Sequence, residues 1–323
     1  MSRKKEDLNL LEYLFPFTLF IIGFVIIIKG SDMFIDTVIW FTKITKIPDI
    51  IIGATLVSLG TTLPELMVSV GASIQGNTEI AIGNALGSII CNTGLILAII
   101  IIVSRPIFKD KKEFQRKGIL LIVLLMLISL VGFIYDEISR ITGIFLLGIL
   151  AWYLFRNIRE SLKNKTKQSE DFKPINISKK IIISNLLIFV FGLTLTIWGS
   201  RLLVINGEKI ALFLGVPDVI IGLTMTAFGT SLPELMTAIT ALRKKAYDIS
   251  MGNILGANIL NIILVIALSS TILPIPINTD ILYFHLPFVL LIVSITIFFS
   301  FLSKNHFRRR FGFIMVIAYI NYL

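Results

Sequence analysis

Two glutamates occupy matching positions in two nearly identical stretches, each inside a long apolar run. Glu65 lies in GTTLPELM, and Glu234 lies in GTSLPELM 169 residues further along the chain. Hydroxyl-bearing residues precede both glutamates, so each stretch offers a carboxylate together with neutral oxygens. Hard cations prefer such oxygen ligands, and no His or Cys cluster accompanies them that would favour a softer metal. The pattern predicts a cation-binding site built from both stretches.

The oxygen donors around the two glutamates suit calcium. Calcium takes about six to eight oxygen ligands in adaptable geometry, and two carboxylates neutralise one calcium ion. A helix broken in mid-membrane also frees carbonyl oxygens at the end of its first half. The predicted carbonyl donors are Ser58 and Thr61 near Gly60, and Ala227 and Thr230 near Gly229; the predicted hydroxyl donors are Thr61, Thr62, Thr230 and Ser231.

Helix capping is a second role for the glutamates. Thr62 and Ser231 each lie three residues before a glutamate, which is the spacing of a capping box. Pro64 suits the first turn of a new helix, and Gly60 permits unusual backbone angles before it. An uncharged Gln would cap equally well, whereas an ionised carboxylate in the membrane interior costs at least ~2.5–3.5 kcal/mol on insertion scales. Capping and ion ligation can coexist, and both stay open.

Each glutamate stretch is followed by a second polar motif, GNALGSIICN from residue 83 and GNILGANILN from residue 252. Glycines at four-residue spacing favour close helix packing. The asparagines of each motif are eight residues apart, or about two helical turns, and so project from a similar face. We interpret Asn92 and Asn261 as pocket ligands in preference to packing residues. Cys91 is interpreted as a small buried hydrophobe.

The composition shows which elements must position these residues. The chain has 323 residues, of which 55% are hydrophobic and only 15% charged, and its mean hydropathy is +0.90. A helical span needs roughly 20 mostly apolar residues, and sustained alternation typical of a membrane barrel is absent. The fold class predicted is an all-α polytopic membrane protein. The ten predicted spans are 13–35, 48–74, 80–103, 118–135, 138–156, 180–205, 217–242, 249–272, 281–302 and 310–322.

The chain contains an internal sequence repeat. A shift of 169 residues gives 23 identities in the 63 positions from 30 to 92, concentrated on Gly, Pro, Asn, Glu and Thr. Each half holds about five spans, so the second half must enter the membrane from the opposite side. Inverted repeats with interrupted helices are typical of secondary transporters. The predicted organisation is a first membrane repeat at 1–156 with its core at 48–103, a cytoplasmic linker at 157–179, and a second repeat at 180–323 with its core at 217–272.

The distribution of the +10 net charge predicts orientation in a membrane and argues against a nucleic-acid partner. With ten spans, 23 of the 30 basic residues fall in one set of loops and five in the other. The positive-inside rule places the first set in the cytoplasm and both termini outside. Asp32 and Asp36 follow Lys29 near the cytoplasmic end of the first span, and a local ion pair is the favoured interpretation. Membrane lipid is the expected surrounding, and no required protein partner is evident.

At these motifs the chain resembles the sodium/calcium exchangers of the calcium/cation antiporter superfamily, particularly their prokaryotic members. GATLVSLGTTLPELMVS with GNALGSIICN, and GLTMTAFGTSLPELMTA with GNILGANILN, carry the resemblance, which covers both repeats. It implies alternating access in the cell membrane, with a gating bundle formed by the first and sixth spans. It implies no prosthetic group: Ca²⁺ and Na⁺ are the transported ions. The implied ligands are Glu65, Glu234, Thr61, Thr62, Thr230, Ser231, Ser88, Asn92 and the carbonyls of Ser58 and Ala227.

Two departures from the family pattern bear on the driving ion. Asn261 stands where prokaryotic exchangers often have Asp, and Ala257 stands where they commonly have Ser. The calcium site remains complete, but one hydroxyl ligand for an outer sodium is missing. The prediction is a Ca²⁺/Na⁺ antiporter, with a proton-driven calcium antiporter as the alternative because Glu65 and Glu234 can also carry protons. An enzyme is not expected, since the sequence has no HExxH helix and no serine elbow.

Overall fold

Apolar runs without alternation form helices along the described chain. A computed structural model of the protein describes residues 2–104, 106, 110–167, 178–215, 228–303 and 307–322. The helices are α1 (Ser2–Thr45), α2 (Asp49–Thr61), α3 (Leu63–Ile74), α4 (Thr78–Ser104), α5 (Lys111–Tyr135), α6 (Arg140–Lys167), α7 (Lys179–Phe213), α8 (Leu232–Arg243), α9 (Tyr247–Ile272), α10 (Ile281–Leu302) and α11 (Arg309–Tyr322). Two short strands, β1 (Glu137–Ile138) and β2 (Ile275–Pro276), pair antiparallel.

The all-α membrane class is confirmed, whereas the count of ten spans stays a prediction. Seven described helices are long and apolar enough to cross a membrane, and the bent pair α2–α3 makes an eighth. The predicted span 217–242 lies partly outside the described residues. The helix α11 has only 14 residues, which is short for a span. Several helices continue beyond the predicted spans, α1 to Thr45 and α6 to Lys167, because hydropathy marks only the apolar part of a helix.

The helices α1 and α7 form a close antiparallel pair through symmetric glycines. A Cβ added to Gly30 would lie 2.9 Å from the carbonyl oxygen of Gly192, and one added to Gly199 would lie 3.0 Å from that of Gly23. The repeat relates these two contacts to each other. Gly23 is equivalent to Gly192 and Gly30 to Gly199, because each pair is 169 residues apart. An antiparallel contact between repeat-related helices is what an inverted repeat predicts.

The centre of the molecule consists of α4 and α9, with α2 packed in parallel against α9. In their most apolar windows, α4 is 72% buried and α9 is 89% buried, whereas α1 and α7 are 22% and 17% buried. A Cβ at Gly252 would lie 2.5 Å from the Ile50 carbonyl oxygen, and one at Gly256 would lie 2.6 Å from Ser58 Oγ. The packing role assigned to the glycines of the GNILGAN motif is therefore confirmed at these two positions. At Gly83 a Cβ would meet nothing within 4 Å.

Contacts between loops hold each of the two predicted loop sets together. Lys111 Nζ donates to the Ser303 carbonyl at 2.5 Å, and Arg116 pairs with Glu160 at 3.2 Å, both within the basic set. At the other end, Arg140 donates to the Ile272 carbonyl at 3.1 Å beside the β1–β2 pair. The grouping of loops thus agrees with the charge pattern.

The local ion pair expected for Asp32 and Asp36 is wrong. Both carboxylates instead face Lys244, whose Nζ lies 2.7 Å from Asp36 Oδ1 and 3.7 Å from Asp32 Oδ1. Lys244 directly follows α8, so this contact joins the first helix to the second repeat. The sequence neighbour Lys29 was preferred because a partner 208 residues away is invisible to local spacing.

Candidate cation-binding site

The break between α2 and α3 places Glu65 in the first turn of a buried half-helix. The two helices meet at 47° around Thr62, and Pro64 lies at the start of α3, as the sequence predicts. In the second repeat, residues 228–230 are helical, Ser231 forms a turn, and α8 begins at Leu232 with Pro233 in its first turn. The two glutamates therefore begin equivalent half-helices, although residues 216–227 lie outside the described chain.

The capping role considered for the glutamates is wrong. Neither Thr62 nor Ser231 makes a side-chain capping hydrogen bond, and the carboxylate oxygens of Glu65 and Glu234 accept none from the half-helix ends. The Ser58 carbonyl is also not freed by the break, because the Thr62 amide donates to it at 2.9 Å. The Thr61 hydroxyl also approaches that carbonyl, at 3.4 Å. Near the break, the side-chain oxygens of Thr62 and Glu65 are buried without partners.

Gly60 serves close packing and has an ordinary helical backbone, so the expectation of unusual backbone angles is wrong. It lies in the last turn of α2, and the glycines with positive φ among the described residues are Gly76 and Gly215. A Cβ at Gly60 would lie 2.9 Å from Leu193 Cδ2 of α7. At the equivalent Gly229, a Cβ would lie 2.7 Å from Val204 Cγ2, also on α7. Both broken segments therefore lie directly against α7.

Two asparagines join the repeats by reciprocal hydrogen bonds. Thr61 Oγ1 donates to Asn253 Oδ1 at 3.1 Å, and the repeat-equivalent Thr230 Oγ1 donates to Asn84 Oδ1 at 3.2 Å. Asn84 Nδ2 in turn donates to Ser69 Oγ at 2.9 Å and to the Glu65 carbonyl at 3.2 Å. Sequence reasoning recognised Asn84 and Asn253 only as part of a motif. The same residue type at repeat-related positions was the signal that could have assigned them this role. We call the two threonine–asparagine hydrogen bonds between the repeats the braces.

The strongest sign of a cation site is a set of buried oxygen atoms without protein partners. Glu65 and Glu234 are both 0% exposed, and none of their four carboxylate oxygens accepts a well-formed hydrogen bond among the described residues, although the Thr61 hydroxyl lies near Glu234. The two side chains are close enough to interact electrostatically. Buried polar groups are nearly always hydrogen-bonded, and buried charges are paired or coordinate metals. Two buried carboxylates without partners thus require a cation or protons.

Neighbouring residues of the predicted site also have buried polar atoms without hydrogen-bond partners. Thr62 Oγ1, Ser231 Oγ, Asn92 Oδ1 and both side-chain polar atoms of Asn261 are buried without partners. Asn92 Nδ2 donates to Asn258 Oδ1 at 3.1 Å, and Asn258 Nδ2 donates to Thr93 Oγ1 at 2.8 Å, which leaves the Asn92 oxygen available. Asn258 was missed by sequence reasoning because its repeat equivalent is Ile89. No repeat comparison could have found it.

The remaining predicted donors surround this cluster or lie outside the described chain. Ser58 is fully buried, and its hydroxyl donates to the Thr55 carbonyl at 3.2 Å. Ser88 Oγ lies 3.5 Å from Thr230 Oγ1. Ala257, at the repeat position of Ser88, is fully buried and supplies only a methyl group. Ala227 lies outside the described residues. Within the described chain no group of three or more His, Cys, Asp or Glu side chains is found, so neutral oxygens must complete the shell.

These features define a class of protein: a helical membrane transporter with inverted repeats and buried carboxylates at its broken helices. The family model for "Sodium/calcium exchanger protein" matches residues 15–159 and 184–323. The chain belongs to this family. The function of the family is transport by exchange, which supports cation/Ca²⁺ antiport and not enzymatic catalysis.

Individual relatives agree with the family assignment. The chain is 36% identical over 265 residues to the inner membrane protein YrbG of Escherichia coli, covering 79% of each chain. It is 28% identical over 341 residues to the sodium/calcium exchanger MaX1 of Methanosarcina acetivorans, covering 95% of this chain and 97% of that one. A solved structure of the sodium-calcium exchanger NCX_Mj, soaked with 10 mM Na⁺ and zero Ca²⁺, matches with a TM-score of 0.82 and 30% identity. That match covers 96% of this chain and 98% of the exchanger.

Proposed function

We propose that this protein is a cell-membrane antiporter that exchanges Ca²⁺ for Na⁺ by alternating access. The observation that carries the proposal is the pair of fully buried, unpartnered carboxylates of Glu65 and Glu234. Each begins a half-helix of one repeat, so one doubly charged cation between them would be neutralised equally from both sides. Calcium accepts this arrangement because its coordination shell tolerates mixed carboxylate and neutral oxygen ligands.

Sodium as the driving ion is supported by the neutral oxygens around the carboxylates. Protons would need only the two carboxylates, whereas a hydrophobic interior tolerates sodium only where several oxygens replace water. Unpartnered oxygens of Thr62, Ser231 and Asn261 meet this need. In this proposal the central ligands are Glu65 and Glu234, and the adjoining sodium sites use Thr61, Thr62, Thr230, Ser231, Ser88, Asn92, Asn261 and the carbonyls of Ser58 and Ala227.

The α1–α7 pair is the proposed moving element. The most apolar windows of α1 and α7 are only 22% and 17% buried, and the pair contacts both broken segments, at Gly60 and Gly229, through α7. Sliding of this pair across the site would expose the carboxylates to one side at a time. The two repeats, 1–156 and 180–323, would otherwise stay in place with their linker at 157–179.

Calcium flux in purified proteoliposomes tests the coupling. With sodium inside and radioactive Ca²⁺ outside, uptake should exceed that with choline inside, and dissipating the membrane potential should change its rate if unequal charge is exchanged. An equal proton gradient without sodium should give little uptake. Uptake driven by the proton gradient alone would replace this proposal with proton-driven calcium antiport.

Orientation is part of the proposal, with the basic loops in the cytoplasm and both termini outside. Single cysteines at Arg243 and Glu137, in a Cys91→Ala background, lie at opposite ends of the described helices and are both exposed. A membrane-impermeant maleimide applied to intact cells should label the Glu137 position and not the Arg243 position. The reverse labelling would invert the proposed topology.

A further inference from the structure

A buried tyrosine on α6 contacts the backbone of α2 four residues before the cation site. Tyr153 is 3% exposed, and its hydroxyl donates to the Ala54 carbonyl at 2.7 Å. Ala54 lies in a π-helical turn, Gly53–Val57, inside α2. Tyr153 belongs to neither glutamate motif and has no part in the site described above. Its hydrogen bond to α2 falls on the irregular turn of that helix.

The π-helical turn explains why this carbonyl needs an outside donor. At the end of the π-helical turn, the Ser58 amide donates to the Gly53 carbonyl, five residues back. A regular α-helix would direct that amide to the carbonyl of Ala54, four residues back. The Ala54 carbonyl therefore loses its helical partner in a buried position, where an unpaired backbone group is costly. The Tyr153 hydroxyl supplies the missing donor.

The π-helical turn also sets which face of α2 carries the ligands. Gly53 must face α9, because a Cβ there would lie 3.1 Å from the Asn253 amide, and Thr61 must also face α9 to reach Asn253 Oδ1. Eight residues of regular α-helix would place these two positions about 80° apart. One extra residue in a π-helical turn reduces the difference to about 20°. The irregular turn thus brings the packing face and the ligand face into register.

A buried ionic network fixes Tyr153 from the other side. Lys117 Nζ lies 3.5 Å from the tyrosine hydroxyl, 2.8 Å from Asn157 Oδ1 and 3.4 Å from Glu113 Oε1. It also lies 5.0 Å from the centre of the tyrosine ring. An ammonium that donates to a hydroxyl polarises it, and so strengthens the hydrogen bond that the hydroxyl itself donates. Lys117 is 3% exposed, so water does not compete strongly for these contacts.

We propose that Tyr153 is a positioning residue for cation binding: it stabilises the π-helical turn of α2 and thereby directs Thr61 and Glu65 into the site. This inference rests on the proposed function, because it assigns the residue a role in calcium affinity. It adds a determinant outside the repeat motifs, on a helix that contributes no ligand.

Calcium titration of the purified protein by calorimetry separates this inference from the proposed function. Tyr153→Phe keeps the ring and removes only the donor. We expect a roughly five- to tenfold weaker calcium affinity, as for one hydrogen bond to a buried group. Tyr322→Phe is the matched control: Tyr322 occupies the repeat position of Tyr153, but its hydroxyl lies 2.7 Å from His285 Nδ1. The control should bind calcium as the unmodified protein does.

Amide hydrogen exchange supplies a second readout that does not depend on ion binding. In Tyr153→Phe, exchange should accelerate at residues 53–59 and stay unchanged in α4 and α9. Failure of the unmodified protein to bind calcium would overturn the proposed function. Normal calcium binding in Tyr153→Phe, or exchange that accelerates evenly along the chain, would overturn the positioning role alone. If Tyr153→Phe does not fold, Asn157→Ala must weaken calcium binding in the same direction, and unchanged binding there overturns the role.

Discussion

The two repeats supply the same carboxylates and the same threonine–asparagine braces, but they hold them with unequal neighbours. Thr61 with Asn253, and Thr230 with Asn84, form equivalent hydrogen bonds across the repeat boundary. Thr230 also approaches Ser88, whereas Ala257 offers Thr61 no corresponding hydroxyl. The shared residues lie where the charge of the calcium ion must be neutralised. The unequal residues, Ser88 and Ala257, lie next to them, where they can adjust the affinity for a second ion without altering the affinity for calcium.

The largest effect should come from neutralising either shared carboxylate. Glu65→Gln or Glu234→Gln removes one of two charges that would face calcium, and loss of one partner of a buried ionic contact costs about 3–5 kcal/mol. Calcium-dependent flux should therefore fall by at least roughly 100-fold in each variant, and by similar factors in the two. Flux in proteoliposomes at matched protein incorporation is the measurement.

Thermal unfolding distinguishes this loss from misfolding. Without ions, each glutamine variant should melt no lower than the unmodified protein, because a neutral amide is less costly to bury than an unpaired carboxylate. If the two variants differ strongly in flux, the carboxylates do not share one ion equally, and the symmetric part of the comparison fails.

Removing the braces should have an intermediate effect. Asn84→Ala and Asn253→Ala should each weaken calcium affinity by about three- to tenfold, since each removes hydrogen bonds worth about 1 kcal/mol apiece. The effect should be larger for Asn84, which donates to both Ser69 and the Glu65 carbonyl, whereas Asn253 donates to Thr237. Asn185→Ala is a suitable control, because that amide donates to Ile181 within its own helix. Equal affinities in all three variants would show that the braces do not orient the ligands.

Local sequence patterns predicted the elements of this site better than its contacts. The repeat and the Pro64 break followed from residue types at fixed spacing, and the apolar runs marked the helices. The capping role for Thr62 failed because spacing cannot show which oxygen a side chain reaches. The partners of Asp36 and Asn92 were missed for a different reason. Lys244 and Asn258 come from the other repeat, and neither follows from repeat symmetry.

A smaller effect should follow from restoring the hydroxyl that the second repeat lacks. Ala257 lies at the repeat position of Ser88, whose hydroxyl is 3.5 Å from Thr230, so a serine there would be directed towards Thr61. Ala257→Ser should lower the sodium concentration for half-maximal exchange by about two- to fivefold, as one added oxygen ligand is worth about one hydrogen bond. The calcium dependence should hardly change. Superimposable sodium curves for the two proteins would place Ala257 away from any sodium site.

The smallest effect is expected at the ion pair between α1 and the end of α8. Lys244→Gln removes the contact with Asp36, and exposed ion pairs contribute only about 0.2–1 kcal/mol. If α1 moves during transport, the maximal exchange rate should change by no more than about fivefold, with the calcium affinity unaltered. High salt should reproduce the change in the unmodified protein and have less effect in the variant. The neighbouring Lys245→Gln is the control, and a change in calcium affinity would contradict this assignment.

The most direct test of the central claim is equilibrium calcium binding to the purified protein at increasing sodium concentration. The claim is that Glu65 and Glu234 together hold one calcium ion in a site that sodium also occupies. One calcium should bind per chain, its apparent affinity should fall as sodium rises, and either glutamine variant should lose binding. Binding of calcium by Glu65→Gln and Glu234→Gln as tightly as by the unmodified protein, or binding indifferent to sodium, would contradict the account.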